Sequence, residues 1–200
     1  AALALLFNGN MIMVQISALV FGSVAVMLTY NIGKIKGKSS IIMLVLSGMM
    51  VSSLFQAFVS LIKYVADTEN QLPAITYWLM GSLGSATYQS LTIGAVPILA
   101  GCFILYGLRW KMNILSLTED EAKTLGVNVK KMRMIVILAS TMITASCVSM
   151  CGQIGWIGLL IPHMCRMLFG SNNKQVIPAS ISFGAVFMII IDTIARAAAT

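Results

Sequence analysis

The run LTEDEAKTLGVNVKKMR, Leu117 to Arg133, is the one long polar interruption in a chain that otherwise reads as hydrocarbon-soluble helix. Three acids, Glu119, Asp120 and Glu121, open a short helical pattern. Thr118 stands as its N-cap with Glu121 three residues on, a capping box whose acids also suit the positive end of the helix dipole. Gly126 closes that helix. A second short amphipathic piece, Val127 to Arg133, then carries Lys130, Lys131 and Arg133 up to the next apolar run. Two short helices joined at a glycine and held at a membrane surface form a docking surface for another protein, or else an ordinary connection obeying charge rules. The stretch by itself leaves both open.

Working outward from this interruption, composition sets the class. With 58% hydrophobic and 10% charged residues, and a mean hydropathy of +0.92, the chain is far more apolar than a soluble domain, where about 25% of residues are charged. It is read as an integral membrane protein. The net charge of +7 would suggest nucleic acid in a soluble chain. Here the basic residues sit in short groups between apolar runs, without interleaved aromatics, so nucleic acid is not a partner. Cys102, Cys147, Cys151 and Cys165 lie in or beside apolar helices with no metal-ligand spacing, and no metal site is expected.

A bilayer span needs about 20 apolar residues. Ala1 to Phe7 is too short and reads as the end of a helix. Met11–Tyr30, Ile41–Val65, Leu91–Leu108, Met134–Cys151 and Val176–Ala195 are full spans, the last with Pro178 tolerated in its first turn. Between the second and third, after Pro73, Ile75 to Leu83 is too short to cross and reads as a surface helix bearing Trp78. Gly155 to Phe169 is a short helix with glycine and proline. If the connections at 31–40, 109–133 and 166–174 face the cytoplasm they hold eleven of the thirteen basic residues, leaving Lys63 and Arg196 outside. The positive-inside rule therefore places 117–133 in the cytoplasm.

The next informative run is Gly152-Gln-Ile-Gly-Trp-Ile-Gly-Leu-Leu-Ile-Pro-His-Met-Cys-Arg166. Its glycines at 152, 155 and 158 permit close backbone approach, and Pro162 frees a carbonyl just before His163. Interrupted helices with polar groups at membrane depth are where transporters build pathways. The alternative is a kinked packing helix whose histidine satisfies a neighbouring group.

Taken in order, Tyr77-Trp-Leu-Met-Gly-Ser82, the 117–133 stretch, the 152–166 run and Asp192-Thr-Ile-Ala-Arg196 resemble successive signatures of the iron-chelate and cobalamin uptake permeases of bacterial ABC importers. The resemblance covers most of the chain. It implies an all-α, polytopic membrane bundle of the type II ABC importer permease fold, with residues 1–200 forming one partial permease domain. That domain would run from late in the third of ten helices to the ninth, and the family's other docking arginines would precede it.

The resemblance also assigns roles. Glu119, Asp120, Glu121, Ala122, Leu125, Gly126 and Val127 resemble the coupling helices that seat in a groove of the ATPase subunit. Arg196 resembles the external arginine that pairs with the substrate-binding protein; its simpler role is an i,i+4 pair with Asp192. Pathway or gate candidates are Ser39, Ser40, Trp78, Gly155, Gly158, Pro162 and His163. The implied partners are a second permease subunit, identical or not, two nucleotide-binding ATPase subunits, an extracytoplasmic binding protein and the lipid bilayer. The chain contains no Gly-x-x-x-x-Gly-Lys phosphate loop, so ATP and Mg belong to the partner and the chain itself is not an enzyme.

The expected function is import of an iron chelate, a ferric siderophore, across a bacterial cytoplasmic membrane by alternating access. Haem or cobalamin is the alternative cargo within the family. A secondary transporter driven by an ion gradient is disfavoured, because Asp192 is the only acid within a span.

Overall fold

The computed structural model describes residues 1–7, 9–35, 38–39, 41–116 and 124–198. Its helices are α1 (Ala2–Leu6), α2 (Met11–Gly33), α3 (Ile41–Val65), α4 (Gln71–Met80), α5 (Tyr88–Leu108), α6 (Val129–Cys151), α7 (Ile157–Phe169) and α8 (Asn173–Ala198). Five of these, α2, α3, α5, α6 and α8, are long and apolar enough to cross a membrane; α7 is apolar but shorter. The spans read from the sequence are thus all present. Between α2 and α3 lies a two-residue antiparallel ladder that pairs Lys34 with Ser39 and Ile35 with Lys38.

Several boundaries differ from the sequence reading, each for a local reason. α6 begins at Val129, so Lys130, Lys131 and Arg133 belong to the opening turns of the spanning helix and not to a separate amphipathic piece. Asn128 starts it: its side-chain oxygen accepts from the Lys131 amide at 3.1 Å and its carbonyl from the Met132 amide at 3.0 Å. α4 begins at Gln71, before Pro73, and ends at Met80. Proline is tolerated there because the first-turn amides have no partner inside the helix. α8 begins at Asn173, which moves Pro178 beyond the first turn, where its missing N–H leaves the Lys174 carbonyl without the usual helical donor.

By its contacts the chain divides into two compact units, Ala1–Ile98 with Thr141–Gln153, and Leu99–Ser140 with Ile154–Thr200. In the first, α2 and α3 pack as a hairpin. The Ser47 hydroxyl lies 3.0 Å from the carbonyl oxygens of both Thr29 and Leu44, so a polar side chain is satisfied where water is absent. A small core of Ala2, Ala66 and Ile75 joins α1 to α4. The Gln71 side-chain amide donates to the Leu6 carbonyl at 2.9 Å, tying the same two elements.

In the second unit, Ile157, Ile161 and Cys165 recur at helical spacing on α7 and face Val176, Ala179 and Phe187 of α8. Phe169 meets Phe183 edge-on at 6.0 Å. The connection after α5 is fastened to the α7–α8 turn. The Asn113 amide donates to Asn172 at 2.9 Å, the Asn173 backbone amide donates to the Asn113 side-chain oxygen at 2.9 Å, and the Lys174 ammonium sits 4.3 Å from the centre of the Trp110 ring. The 109–116 and 170–174 connections therefore share one end of this unit.

Candidate functional site: a backbone interlock beside a polar groove

In the first unit the C-terminal ends of α4 and α6 are locked backbone to backbone. Gly81 ends α4 with φ +69° and Gly152 follows α6 with φ +71°, both in the region that side chains rarely enter. The Ser82 amide donates to the Cys151 carbonyl at 2.7 Å. A β-carbon on Gly152 would overlap the Trp78 carbonyl oxygen and come within 2.9 Å of the Gly81 Cα; one on Gly81 would overlap the Gln153 carbonyl oxygen. The two glycines are here because the chains approach closer than any side chain permits. The sequence signalled Gly152 for close approach but did not name its partner.

Next to this interlock lies an open groove of about 780 Å³. Its floor is one face of α3, where Gly48, Ser52, Gln56, Ser60 and Lys63 recur at intervals of three and four. Thr29 of α2, Trp78 of α4, Thr144 of α6 and Gln153 just after it complete the polar part of its lining. Trp78, chosen from the sequence as a pathway residue, is therefore on the groove. The sequence reading missed Gln56, Lys63 and Gln153, although the three- and four-residue spacing of polar groups on α3 was there to be read.

The remaining pathway candidates are elsewhere. Ser39 is in the short ladder after α2, opposite Lys34, and Ser40 lies outside the described residues. Gly155 precedes α7, and Gly158, Pro162 and His163 are on it. Open space surrounds the position a β-carbon would take at Gly155 and at Gly158, so neither makes a close approach among the described residues. His163 is exposed, on a different face from the buried Ile161 and Cys165. Just before α7, Trp156 has φ +61° and is 83% exposed, a strained aromatic that no sequence pattern singles out.

Of the coupling residues, Glu119, Asp120, Glu121 and Ala122 lie outside the described residues, together with the Thr118 cap. Gly126 has φ +70°, suited to closing a helix, and Leu125 beside it is exposed. Val127 leads into Asn128 and the start of α6. On α8, the Arg196 guanidinium pairs with the Asp192 carboxylate at 2.8 Å while 63% of its side chain stays exposed. The local ion pair is real, is worth only about 0.3–0.5 kcal/mol in this setting, and leaves the arginine accessible.

Five apolar spans, connections sorted by charge and an interlocked end define a polytopic helical membrane protein. The whole chain, residues 1–200, matches the FecCD transport family. It is 40% identical over 194 residues to the molybdate import system permease protein MolB of Haemophilus influenzae, covering 97% of this chain and 58% of that one. It is 35% identical over 158 residues to a probable iron chelatin transport system permease of Helicobacter pylori, covering 79% and 48%. With the cobalamin import permease BtuC of Halobacterium salinarum it shares 31% identity over 187 residues, 94% of this chain and 50% of that one. A solved metal-chelate type ABC transporter in an inward-facing conformation superposes with a TM-score of 0.91 at 40% identity, over 98% of this chain and 62% of that one. The chain belongs to the FecCD transport family and has the all-α fold of an ABC transporter permease, a multi-pass membrane protein. It spans about half the length of the relatives it matches.

Proposed function

We propose that this chain is part of a permease subunit that carries a metal-bearing anion or chelate inward across a bacterial cytoplasmic membrane, driven by ATP on a separate subunit. A second permease subunit, identical or not, pairs with it around the route. Two ATPase subunits seat on the 117–127 stretch, and a loaded extracytoplasmic binding protein docks on the opposite face at Arg196. The cargo read from the sequence is a ferric siderophore. Molybdate is a second reading, favoured by the 40% identity to a molybdate permease across nearly the whole chain.

The observation that carries this reading is the agreement between charge and contact. The basic connections at 109–116 and 170–174 are tied together through Asn113, Asn172 and Lys174. The connections that hold no basic residue, around Gly81 and Gly152, are tied to each other. Basic connections gathered with each other, and connections without a basic residue gathered with each other, support a subunit that meets an ATPase through the first and a binding protein through the second. The work at the membrane is positional: the permease halves rock around the cargo while hydrolysis happens elsewhere, and no covalent step falls to this chain.

Uptake of labelled cargo by cells holding the full-length subunit is expected to persist when a protonophore collapses the ion gradient and ATP is maintained. Uptake that stops under those conditions would identify a secondary transporter instead. At the outer face, Arg196→Glu is expected to weaken capture of the loaded binding protein about tenfold by placing like charges opposite each other. Binding of that protein to the reconstituted transporter measures it directly, and unchanged affinity would leave Arg196 only its pairing with Asp192.

A further inference from the structure

We infer that the groove on α3 is a subsite for anionic metal complexes in transit, with Lys63 as the charge that selects them. This inference rests on the permease reading above and adds a sign to the cargo. Among the groups lining the groove, Lys63 is the one formal charge, and no aspartate or glutamate joins it. The carboxylate nearest to it in sequence, Asp67, is engaged by Asn70, whose backbone amide and side-chain amide lie 3.1 and 3.3 Å from its oxygen. Lys63 makes no ion pair among the described residues; it is partly buried and lines the groove.

The neutral groups around Lys63 favour the same sign. The Trp78 indole N–H can only donate, and Gln56 and Gln153 can turn their amide N–H₂ toward oxyanion or carboxylate oxygens. The Ser60 hydroxyl is turned away from cargo, donating to the Gln56 carbonyl at 3.0 Å. A bare cation would require carboxylates or a ring of carbonyls, and neither lines the groove. Lys63 stands in the last turn of α3, at the mouth of the groove, where a cation with no acid beside it raises the local concentration of an arriving anion. In surroundings less polar than water its attraction for an anion is also stronger and less screened by salt. Molybdate and an anionic ferric chelate share this chemistry, and the groove volume of about 780 Å³ accommodates either.

The test uses the full-length subunit in cells with its own ATPase and binding protein, comparing uptake of molybdate, ferric dicitrate and neutral cyanocobalamin. Wild type is expected to import one of the two anions. Lys63→Gln is expected to raise the concentration giving half-maximal uptake about fivefold, the upper end for losing one partly solvated charge, with ATP hydrolysis and membrane level unchanged, while Lys63→Arg retains most of the wild-type value. Which anion is carried distinguishes oxyanion from chelate. Import of cyanocobalamin alone would overturn the subsite and leave the permease reading standing. Equal losses in Lys63→Gln and Lys63→Arg, or a wild-type response from Lys63→Gln, would overturn it too, showing a lysine that packs against other protein. No ATP-dependent uptake of any of the three would overturn the subsite, while the permease reading stands or falls separately on the protonophore experiment.

Discussion

Gly152→Val in the full-length subunit is expected to reduce uptake at least tenfold and to lower the thermal unfolding midpoint of the purified protein by several degrees. The backbone term comes first: a non-glycine residue at φ +71° costs about 1–2 kcal/mol, and more when branched at Cβ. The steric term is added to it. The atoms in the way, the Trp78 carbonyl oxygen and the Gly81 Cα, are backbone, so no rotamer change relieves the overlap and about 1–3 kcal/mol of further strain is expected. Together these approach the whole margin of a marginally stable fold. Part of the cost can be relieved only by separating α4 from α6, which breaks the bond from the Ser82 amide to the Cys151 carbonyl.

Gly81→Val should be comparably harmful, and the double variant less than additive, because both remove the same close approach. Gly107→Ala is the control. It lies inside α5 with nothing near its would-be β-carbon, and should be neutral or gain up to about 1 kcal/mol of helix propensity. Should Gly152→Val unfold and transport like Gly107→Ala, the two helix ends are not locked to each other.

What the sequence revealed and what it withheld divide along physical lines. Spans are legible because lipid solubility is additive along a helix; about twenty apolar residues announce themselves whatever they later touch. Helix starts are less legible because they hang on single caps. Asn128 adds the opening turns of α6 to a run whose lysines read as a separate short amphipathic piece, and Gln71 opens α4 ahead of a proline that reads as a barrier. The groove was harder still. Ser52, Gln56 and Ser60 are weak polar interruptions one at a time, and Lys63 enters the charge count only as an exception to it. Trp78 and Gln153 reach them from stretches far apart in the chain. The interlock was half visible: Gly152 sits in a run crowded with glycine, whereas Gly81 needed its partner to be recognised.

Charge reversal at Glu119 and Glu121 to lysine is expected to leave ATP hydrolysis by the assembled transporter near its basal rate while uptake falls more than tenfold at normal membrane level. The acids open a helix pattern where negative charge is favoured, so lysines there both weaken the helix start and present the wrong sign to a partner. The consequence reaches the membrane through α6. After Gly126 and the Asn128 cap, this helix runs without interruption from Val129 to Cys151, about 35 Å at the α-helical rise, and the Cys151 carbonyl receives the Ser82 amide.

A displacement reaching Asn128 has one continuous helix through which to reach the α4–α6 lock, with no proline or glycine inside it to absorb the motion. Glu119→Gln with Glu121→Gln separates the two effects of the lysines. Glutamine keeps the capping geometry and removes only the charge, so the neutral pair should be intermediate if electrostatic docking matters. Measuring hydrolysis and uptake side by side in proteoliposomes decides it. Normal uptake per ATP in the lysine pair would remove the stretch as a docking surface, and a proportional fall of both activities would make it an assembly element with no part in transmission.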